Sequence, residues 1–244
     1  MIPRSAHNIS KANIAPNALT VLNRLEKAGF QAYLVGGSVR DLLLHKVPKD
    51  FDIATNATPN EVRRLFRNAW IIGRRFKLVH VTFHKEIIEV ATFRAHAPND
   101  PLIKTSEHGM IMRDNLYGTI HEDAWRRDFT INSLYYAVSD GAIIDLTGGF
   151  KDIREKKLRI IGEPATRYQE DPVRMLRAIR FAAKLDFSID DSSSAQIQTL
   201  GPLLQHVSSA RLFEEITKLY QGGSAAAAHK LLMHYNLLPF IFPA

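Results

Sequence analysis

The sequence predicts an α+β fold in which a mixed half of strands and helices is followed by an all-helical part. Short apolar segments bounded by glycines and polar turns alternate with helical patterns up to residue 149. From Asp171 onward, the apolar residues instead recur at helical spacing almost to the end of the chain. We therefore expect one domain at residues 1–163 and a helical one at residues 164–244.

The first predicted helix begins at Pro16 and is closed by Gly29, with three leucines on one stripe. Residues Gln31–Val35 predict a short strand that leads through Gly36 and Gly37 into a second helix. The two glycines therefore lie at a strand-to-helix turn. Backbone amides at such a turn can approach a ligand without interference from a Cβ atom, and they suit a phosphate.

The next elements alternate in the same way. Residues Lys49–Ala54 predict a second strand, and Thr58 followed by Pro59 predicts the capped start of a third helix. Two further strands, Phe76–Phe83 and Glu86–Phe93, are joined by a short connection and predict a hairpin.

A long polar segment, 94–121, follows the hairpin, and a loop of that length within a compact domain is usually functional or mobile. Residues Trp125–Val138 then predict a helix, and Ala142–Leu146 predicts a further strand. The helices predicted for the last part of the chain lie at about 171–185, 193–206, 209–221 and 225–236.

The composition limits the possible functions. The 244 residues include 32 Lys and Arg against 25 Asp and Glu, so the net charge is +7 and the isoelectric point is about 9.6. This balance favours a polyanionic partner, which could be nucleic acid, nucleotide or an anionic membrane, although it also serves simple solubility. The absence of cysteine excludes disulfides, thiolate zinc sites and cysteine nucleophiles. The sequence shows neither a signal peptide nor a membrane span, so we expect a cytoplasmic protein.

Asp50 and Asp52 are the strongest candidates for chemistry. Residues i and i+2 of a strand share a face, and two adjacent carboxylates repel each other unless a cation lies between them. Oxygen ligands of this kind suit Mg²⁺. The alternative is a solvated pair on an edge strand. Because the glycine turn precedes the pair closely, a combined phosphate and metal site is the better interpretation.

Glu89 is a further candidate ligand. Its strand face carries apolar neighbours, which predicts partial burial, and a buried carboxylate requires a partner. That partner could be a metal ion shared with the aspartate strand or an arginine in a salt bridge.

Arg126, Arg127 and Asp128 form a third candidate cluster. At a helix start, two arginines and an aspartate can hold a triphosphate and a ribose. The alternative is a solvated helix N-terminus in which Asp128 only complements the helix dipole.

The segment from Glu170 to Phe181 is the fourth candidate. Asp171 is predicted to cap a helix, on which Arg174, Arg177 and Arg180 recur every three residues. An amphipathic helix with a basic solvent face explains this pattern. A ridge that binds phosphates and base edges explains it as well.

The order and content of these motifs resemble the class II template-independent nucleotidyltransferases. That family contains the CCA-adding tRNA nucleotidyltransferases and the bacterial poly(A) polymerases. The segments that carry the resemblance are Leu34–Asp41, Lys49–Asp52, Arg126–Leu134 and Glu170–Arg174. The segments similar to the poly(A) polymerases in particular are Ile71–Val81, Glu86–Arg94, Thr130–Tyr136 and Arg167–Leu185.

The resemblance implies a polymerase-β-like catalytic head followed by a helical neck and body. It implies two Mg²⁺ ions bound by Asp50 and Asp52. Asp128 is then the first choice for the third catalytic carboxylate, and Glu89 is the second. The implied nucleotide-binding residues are Gly36, Gly37, Arg40, Arg127, Asp171, Arg174, Arg177 and Arg180.

The implied reaction is the transfer of AMP from ATP to the 3′-hydroxyl of an RNA, with release of pyrophosphate. A CCA-adding enzyme and a catalytically inactive RNA-binding fragment are the alternatives. Poly(A) polymerases of this family generally continue well beyond the apolar end of this sequence. We therefore expect a truncated form that lacks part of the RNA-binding surface.

Overall fold

The computed structural model describes residues 1–73, 77–84, 86–95, 104–105, 111–113 and 116–242. The chain divides into two compact units, the first formed by Met1–Lys104 with Met112–Ile153 and the second by Thr105–Ile111 with Arg154–Ala244. The domain boundary expected between residues 163 and 164 stays a prediction. Among the described residues, no helix combines the length and the apolar character needed to cross a membrane.

The first unit contains a seven-stranded sheet, which confirms the predicted α+β class. Its strands are β1 (Ala32–Val35), β2 (Asp52–Thr55), β3 (Ala69–Ile72), β4 (Leu78–Phe83), β5 (Glu86–Thr92), β8 (Leu134–Tyr136) and β9 (Ile143–Asp145). The spatial order is β3-β4-β5-β2-β1-β8-β9. Only β2 and β5 pair in parallel, and all the other neighbours are antiparallel. Two short strands outside this sheet are β6 (Lys104–Thr105) and β7 (Ile111–Arg113).

The helices of the first unit cover the two faces of the sheet unequally. They are α1 (Pro16–Lys27), α2 (Gly37–Leu43), α3 (Pro59–Leu65), α4 (Ile120–Arg126) and α5 (Gly149–Arg154). Helices α1 and α3 contact β5 on the face where Ile88 and Val90 are buried. On the opposite face, Ala124 of α4 packs with Val35 and Tyr135. The capping box predicted at Thr58 is confirmed.

The helix predicted over Trp125–Val138 is wrong. Helix α4 ends at Arg126, Thr130–Asn132 is a short 3₁₀ helix, and Leu134–Tyr136 is the strand β8. This strand lies inside the sheet and is buried on both faces, so its residues do not alternate between polar and apolar. An unbroken apolar run of this kind cannot be distinguished from a buried helix by its periodicity.

The three outer strands of the sheet were predicted only in part. The sequence did not predict the edge strand β3, and the hairpin predicted from residue 76 is confirmed as the antiparallel pair β4–β5. Phe76 itself and most of the polar segment 94–121 lie outside the described residues.

The second unit is mainly helical, as predicted. Its helices are α6 (Pro164–Glu170), α7 (Val173–Leu185), α8 (Asp191–Leu200), α9 (Ser209–Gln221), α10 (Ala225–His234) and α11 (Leu238–Ile241). Helix α7 packs against α9 and α10 and buries Leu176 and Ile179 completely. Two short strands, β10 (Lys157–Leu158) and β11 (Ser188–Ile189), pair in parallel. The sequence did not predict α6.

Candidate active site

The sheet brings Asp52 and Glu89 next to each other. Asp52 is the first residue of β2, and the parallel register pairs it directly with Glu89 of β5. Burial, together with the negative charge of Glu89, raises the pKa of Asp52 to about 6, although Arg127 opposes the shift. Two carboxylates that lie far apart in the sequence are therefore neighbours on adjacent strands of the sheet.

Asp50 lies just before this strand and is exposed. The strand predicted over Lys49–Ala54 begins only at Asp52, so the alternation of a strand does not orient Asp50. Its negative charge nevertheless contributes a little to the raised pKa of Asp52.

The partial burial predicted for Glu89 is wrong, because its side chain is 47% exposed. Ile87 on the same face of β5 is also 50% exposed, so this face is open rather than covered. The partner of Glu89 is His80 of β4, whose Nε2 lies 3.1 Å from Oε1 of Glu89.

The negative charges of these acidic residues suit a divalent cation, but their side chains do not surround a metal-binding position. Within the ranges that the structure describes, no group of three or more His, Cys, Asp or Glu side chains is arranged to hold a metal ion. Asp52 nevertheless faces the negative charges of both Glu89 and Asp50 while it is largely shielded from solvent. A bound cation would offset this repulsion.

The glycine turn lies close to Arg127. Gly36 has φ 76° and ψ −132°, a combination that L-residues rarely adopt, and it immediately precedes helix α2. A Cβ atom on Gly36 would lie 3.7 Å from Nη1 of Arg127 and 3.9 Å from the carbonyl oxygen of Asn132. Gly37 is the first residue of α2, and its Cβ would lie 3.5 Å from Nη2 of Arg40.

A chain of hydrogen bonds links Asp128 to Arg40. The Nη1 atom of Arg40 donates to Oδ1 of Asn132 at 2.7 Å, and Nδ2 of Asn132 donates to Oδ1 of Asp128 at 3.3 Å. The same oxygen of Asp128 accepts the Phe129 amide at 2.8 Å. Arg40 is only 3% exposed and is also paired with Asp41 at 2.7 Å. Asn132 was not a predicted site residue, although it lies in the motif that contains Asp128.

Arg127 is held by a carboxylate that the sequence interpretation missed. Its Nη2 lies 2.9 Å from Oδ2 of Asp123, and its Nε donates to the hydroxyl of Tyr135 at 3.0 Å. Burial alone raises the pKa of Asp123, but Arg127 and Arg126 outweigh that effect and lower it to about 2. The spacing of Asp123 and Arg127, one helical turn apart, was the available signal.

In the second unit, the N-cap predicted for Asp171 is wrong. Helix α7 begins at Val173, and Asp171 instead terminates α6. The Oδ2 atom of Asp171 accepts a hydrogen bond from Nη2 of Arg211 at 2.9 Å. Its other oxygen, Oδ1, is buried and has no hydrogen-bond partner among the described residues.

The arginines of α7 are paired rather than solvated. Arg174 donates from Nη1 to the Arg167 carbonyl at 2.8 Å and to Oε2 of Glu170 at 3.0 Å. Arg177 and Arg180 lie 3.7 Å and 3.4 Å from the carboxylate of Glu215 on α9, which is 7% exposed. The base-binding role of these arginines stays a prediction.

The solved structures indicate the class of protein. The crystal structure of the Bacillus stearothermophilus CCA-adding enzyme in complex with CTP is similar to this chain, with a TM-score of 0.77 and 35% identity. The match covers 92% of this chain and 53% of that one. The fold and the site together define a protein of the nucleotidyltransferase class.

Within that class, the chain belongs to the poly(A) polymerase family. The model described as "Poly A polymerase head domain" matches residues 32–159, and the model described as "Probable RNA and SrmB- binding site of polymerase A" matches residues 186–244. The family predicted from the sequence motifs is thereby confirmed.

Two curated relatives are similar to the chain over all or most of its length. Poly(A) polymerase I of Salmonella typhi is 55% identical over 247 residues, which cover 100% of this chain and 53% of the relative. The CCA-adding enzyme of Bacillus subtilis is 39% identical over 220 residues, which cover 90% of this chain and 54% of the relative. The chain thus spans about half the length of the curated relatives that it matches.

Proposed function

We propose that this chain carries the catalytic centre of a template-independent poly(A) polymerase. The reaction transfers AMP from ATP to the 3′-hydroxyl of an RNA and releases pyrophosphate. The observation that carries the proposal is the 55% identity to a poly(A) polymerase I along the whole chain, against 39% to a CCA-adding enzyme.

In this proposal, Asp50 and Asp52 bind two Mg²⁺ ions. Bound there, such ions would activate the attacking 3′-hydroxyl and neutralise the charge of the leaving pyrophosphate. The direct pairing of Glu89 with Asp52 supports Glu89 as the third carboxylate. Asp128, which the motif order placed first, has its Oδ1 engaged by the Phe129 amide and by Asn132, which favours a role in organising the loop.

The glycine turn is proposed to receive the triphosphate. Gly36 has a backbone conformation that L side chains rarely adopt, and amides at a turn of this kind suit phosphate oxygens. Arg127, which is 20% exposed, lies beside Gly36 and can donate to the same oxygens. Arg40, being buried and paired, is proposed to support this turn rather than to contact the nucleotide directly.

Asp171 and Arg174 are proposed to recognise the base. The buried Oδ1 of Asp171 lacks a hydrogen-bond donor within the described residues, and an exocyclic amino group would supply one. Arg177 and Arg180 are proposed to hold helix α7 in place through Glu215.

The test is an extension assay with a labelled RNA and each of the four nucleoside triphosphates in turn. We expect long tails with ATP on an RNA of arbitrary sequence, and no labelling with the Asp50→Ala variant although that variant still binds RNA. Addition of CTP followed by ATP, restricted to tRNA, would instead identify a CCA-adding enzyme. RNA binding with no transfer by the unmodified chain would identify a binding fragment.

A further inference from the structure

Among the described residues, one face of the sheet carries exposed side chains over its outer three strands. Helices α1 and α3 lie against the opposite face, and α4 covers this face only near β1 and β8. Over β3, β4 and β5, large side chains remain in solvent: Trp70 is 66% exposed, Ile87 is 50% exposed and Ile72 is 36% exposed. We call the surface formed by Trp70, Ile72, His80, Ile87 and Glu89 the open face.

The register connects this open face to the catalytic carboxylates. Trp70 pairs with His80 across β3 and β4, and His80 pairs with Glu89 across β4 and β5. Glu89 in turn pairs with Asp52 across β5 and β2. Directly paired residues project from the same face of a sheet, so these four side chains form one row.

We propose that the open face is a platform for single-stranded RNA, on which a base stacks on the indole ring of Trp70. This proposal rests on the proposed function, since it identifies the strand that enters the active site. Exposed aromatic rings on a sheet bind unpaired bases through stacking, which tolerates any base because every base has a π-face.

The length of the row sets which nucleotide reaches Trp70. Adjacent strands lie about 4.8 Å apart, so three steps place Trp70 about 14 Å from Asp52. Stacked nucleotides rise by about 3.4 Å each, so the base on Trp70 lies roughly four nucleotides from the reacting 3′ end.

The composition of the row favours RNA over a protein partner. A protein interface would be expected to have an apolar centre, with the polar residues at its rim. Here the polar pair His80 and Glu89 interrupts the apolar residues, and the row ends at a cluster of carboxylates. A strand of RNA that leads to metal-bound reacting groups accommodates both features.

The fluorescence of Trp70 tests the proposal directly. The chain contains two tryptophans, so the Trp125→Phe variant leaves Trp70 as the only indole. We expect oligoadenylates of about six nucleotides to quench its emission, dinucleotides to quench weakly, and ATP alone to have no effect. A matched Trp70→Phe variant, which retains Trp125, should show little quenching.

Affinity supplies the second readout. Loss of one base–aromatic stack weakens RNA binding by about five- to one-hundredfold, which we expect for Trp70→Ala, whereas Trp70→Phe should retain most of the affinity. The midpoint of thermal unfolding verifies that both variants fold. Three results would each contradict the proposal that the open face binds RNA. They are an unquenched Trp70 at saturating RNA, an unchanged RNA affinity in Trp70→Ala, and no measurable RNA binding. The extension assay decides the proposed function separately, because AMP transfer can persist without stacking at Trp70.

Discussion

The carboxylate of Asp123 on α4 and the guanidinium of Arg127, the residue just after this helix, form an ion pair of 2.9 Å across one helical turn. The same carboxylate oxygen accepts the hydroxyl of Tyr135 on β8 at 2.8 Å, while the other accepts the backbone amide of Arg94 at 3.2 Å. Asp123 therefore fixes the arginine of the predicted nucleotide site to the sheet.

Replacement of Asp123 by Asn should destabilise the protein strongly. The variant leaves Arg127 in a largely buried site without its anionic partner, and breaking a buried ion pair costs about 3–5 kcal/mol. Urea unfolding measures this loss. Asp186→Asn is the matched control, because Asp186 is an exposed residue in the left-handed conformation that Asn also adopts, and it should change the free energy of unfolding by less than about 0.5 kcal/mol.

The same carboxylate predicts how stability depends on pH. Folding lowers the pKa of Asp123 from an ordinary 3.8 to about 2, so the unfolded chain binds its proton more readily. This contribution is fully present above about pH 4 and is lost as the pH falls towards 2; at neutral pH it amounts to roughly 2 kcal/mol. The stability difference between the unmodified chain and Asp123→Asn should therefore narrow as the pH falls from about 4 towards 2. A gap that widens on acidification would contradict this assignment.

Magnesium should stabilise the unmodified chain through the acidic cluster. In EDTA, we expect the Asp50→Asn, Asp52→Asn double variant to be more stable by roughly 1–2 kcal/mol, because it removes the repulsion among the carboxylates. Millimolar Mg²⁺ should raise the midpoint of thermal unfolding of the unmodified chain and of Asp186→Asn but not that of the double variant. Equal shifts in all three proteins would show that the ion binds elsewhere.

Much of the fold follows from local signals in the sequence. The cap at Thr58, the hairpin β4–β5 and the helical character of the last part were all predictable, because each depends on residues close together in the chain. The strand β8 was not, because burial on both faces removed the alternation that identifies a strand.

The two neighbouring glycines at the start of α5 should differ sharply in their tolerance of alanine. A Cβ atom on Gly149 would lie 2.1 Å from the Thr130 carbonyl oxygen, in the segment that carries Asn132. Gly148 has a φ of +86° but no atom within 4 Å of its Cβ position. We expect Gly149→Ala to cost at least about 3 kcal/mol and Gly148→Ala about 1–2 kcal/mol, measured by urea unfolding. Equal costs would contradict the close packing at Gly149.

The adjacent glutamates of α9 provide a matched pair in the helical unit. Glu215 is buried against Arg177 and Arg180, whereas Glu214 is exposed. Glu215→Gln should lower the free energy of unfolding by about 3 kcal/mol or more and should also raise the KM for ATP, since α7 carries Arg174. Glu214→Gln should leave both quantities within error. If the free energy of unfolding falls but the KM for ATP does not change, Glu215 contributes only to the stability of the fold.

The candidate site was predictable to a lesser degree than the fold. Motif content placed Asp52, Gly36 and Arg127 near one another, and the structure brings them together. The spacing of Asp123 and Arg127 signals their ion pair. The exposure of Glu89 and the contact of Asp123 with Tyr135 depend on which elements pack beside them, and no local pattern encodes these. Prediction from spacing fails where partners come from distant parts of the chain.

The order of the sheet has a consequence for synthesis on the ribosome. Strand β1 pairs on one side with β2, which follows soon after, and on the other side with β8, which begins only at Leu134. A nascent chain therefore carries an unpaired β1 edge while the whole intervening segment is translated. Unpaired edges recruit other strands. Messages cut before the codon for Leu134 should thus yield polypeptides that aggregate or are degraded, and translation must pass that codon before the glycine turn and Arg127 can come together.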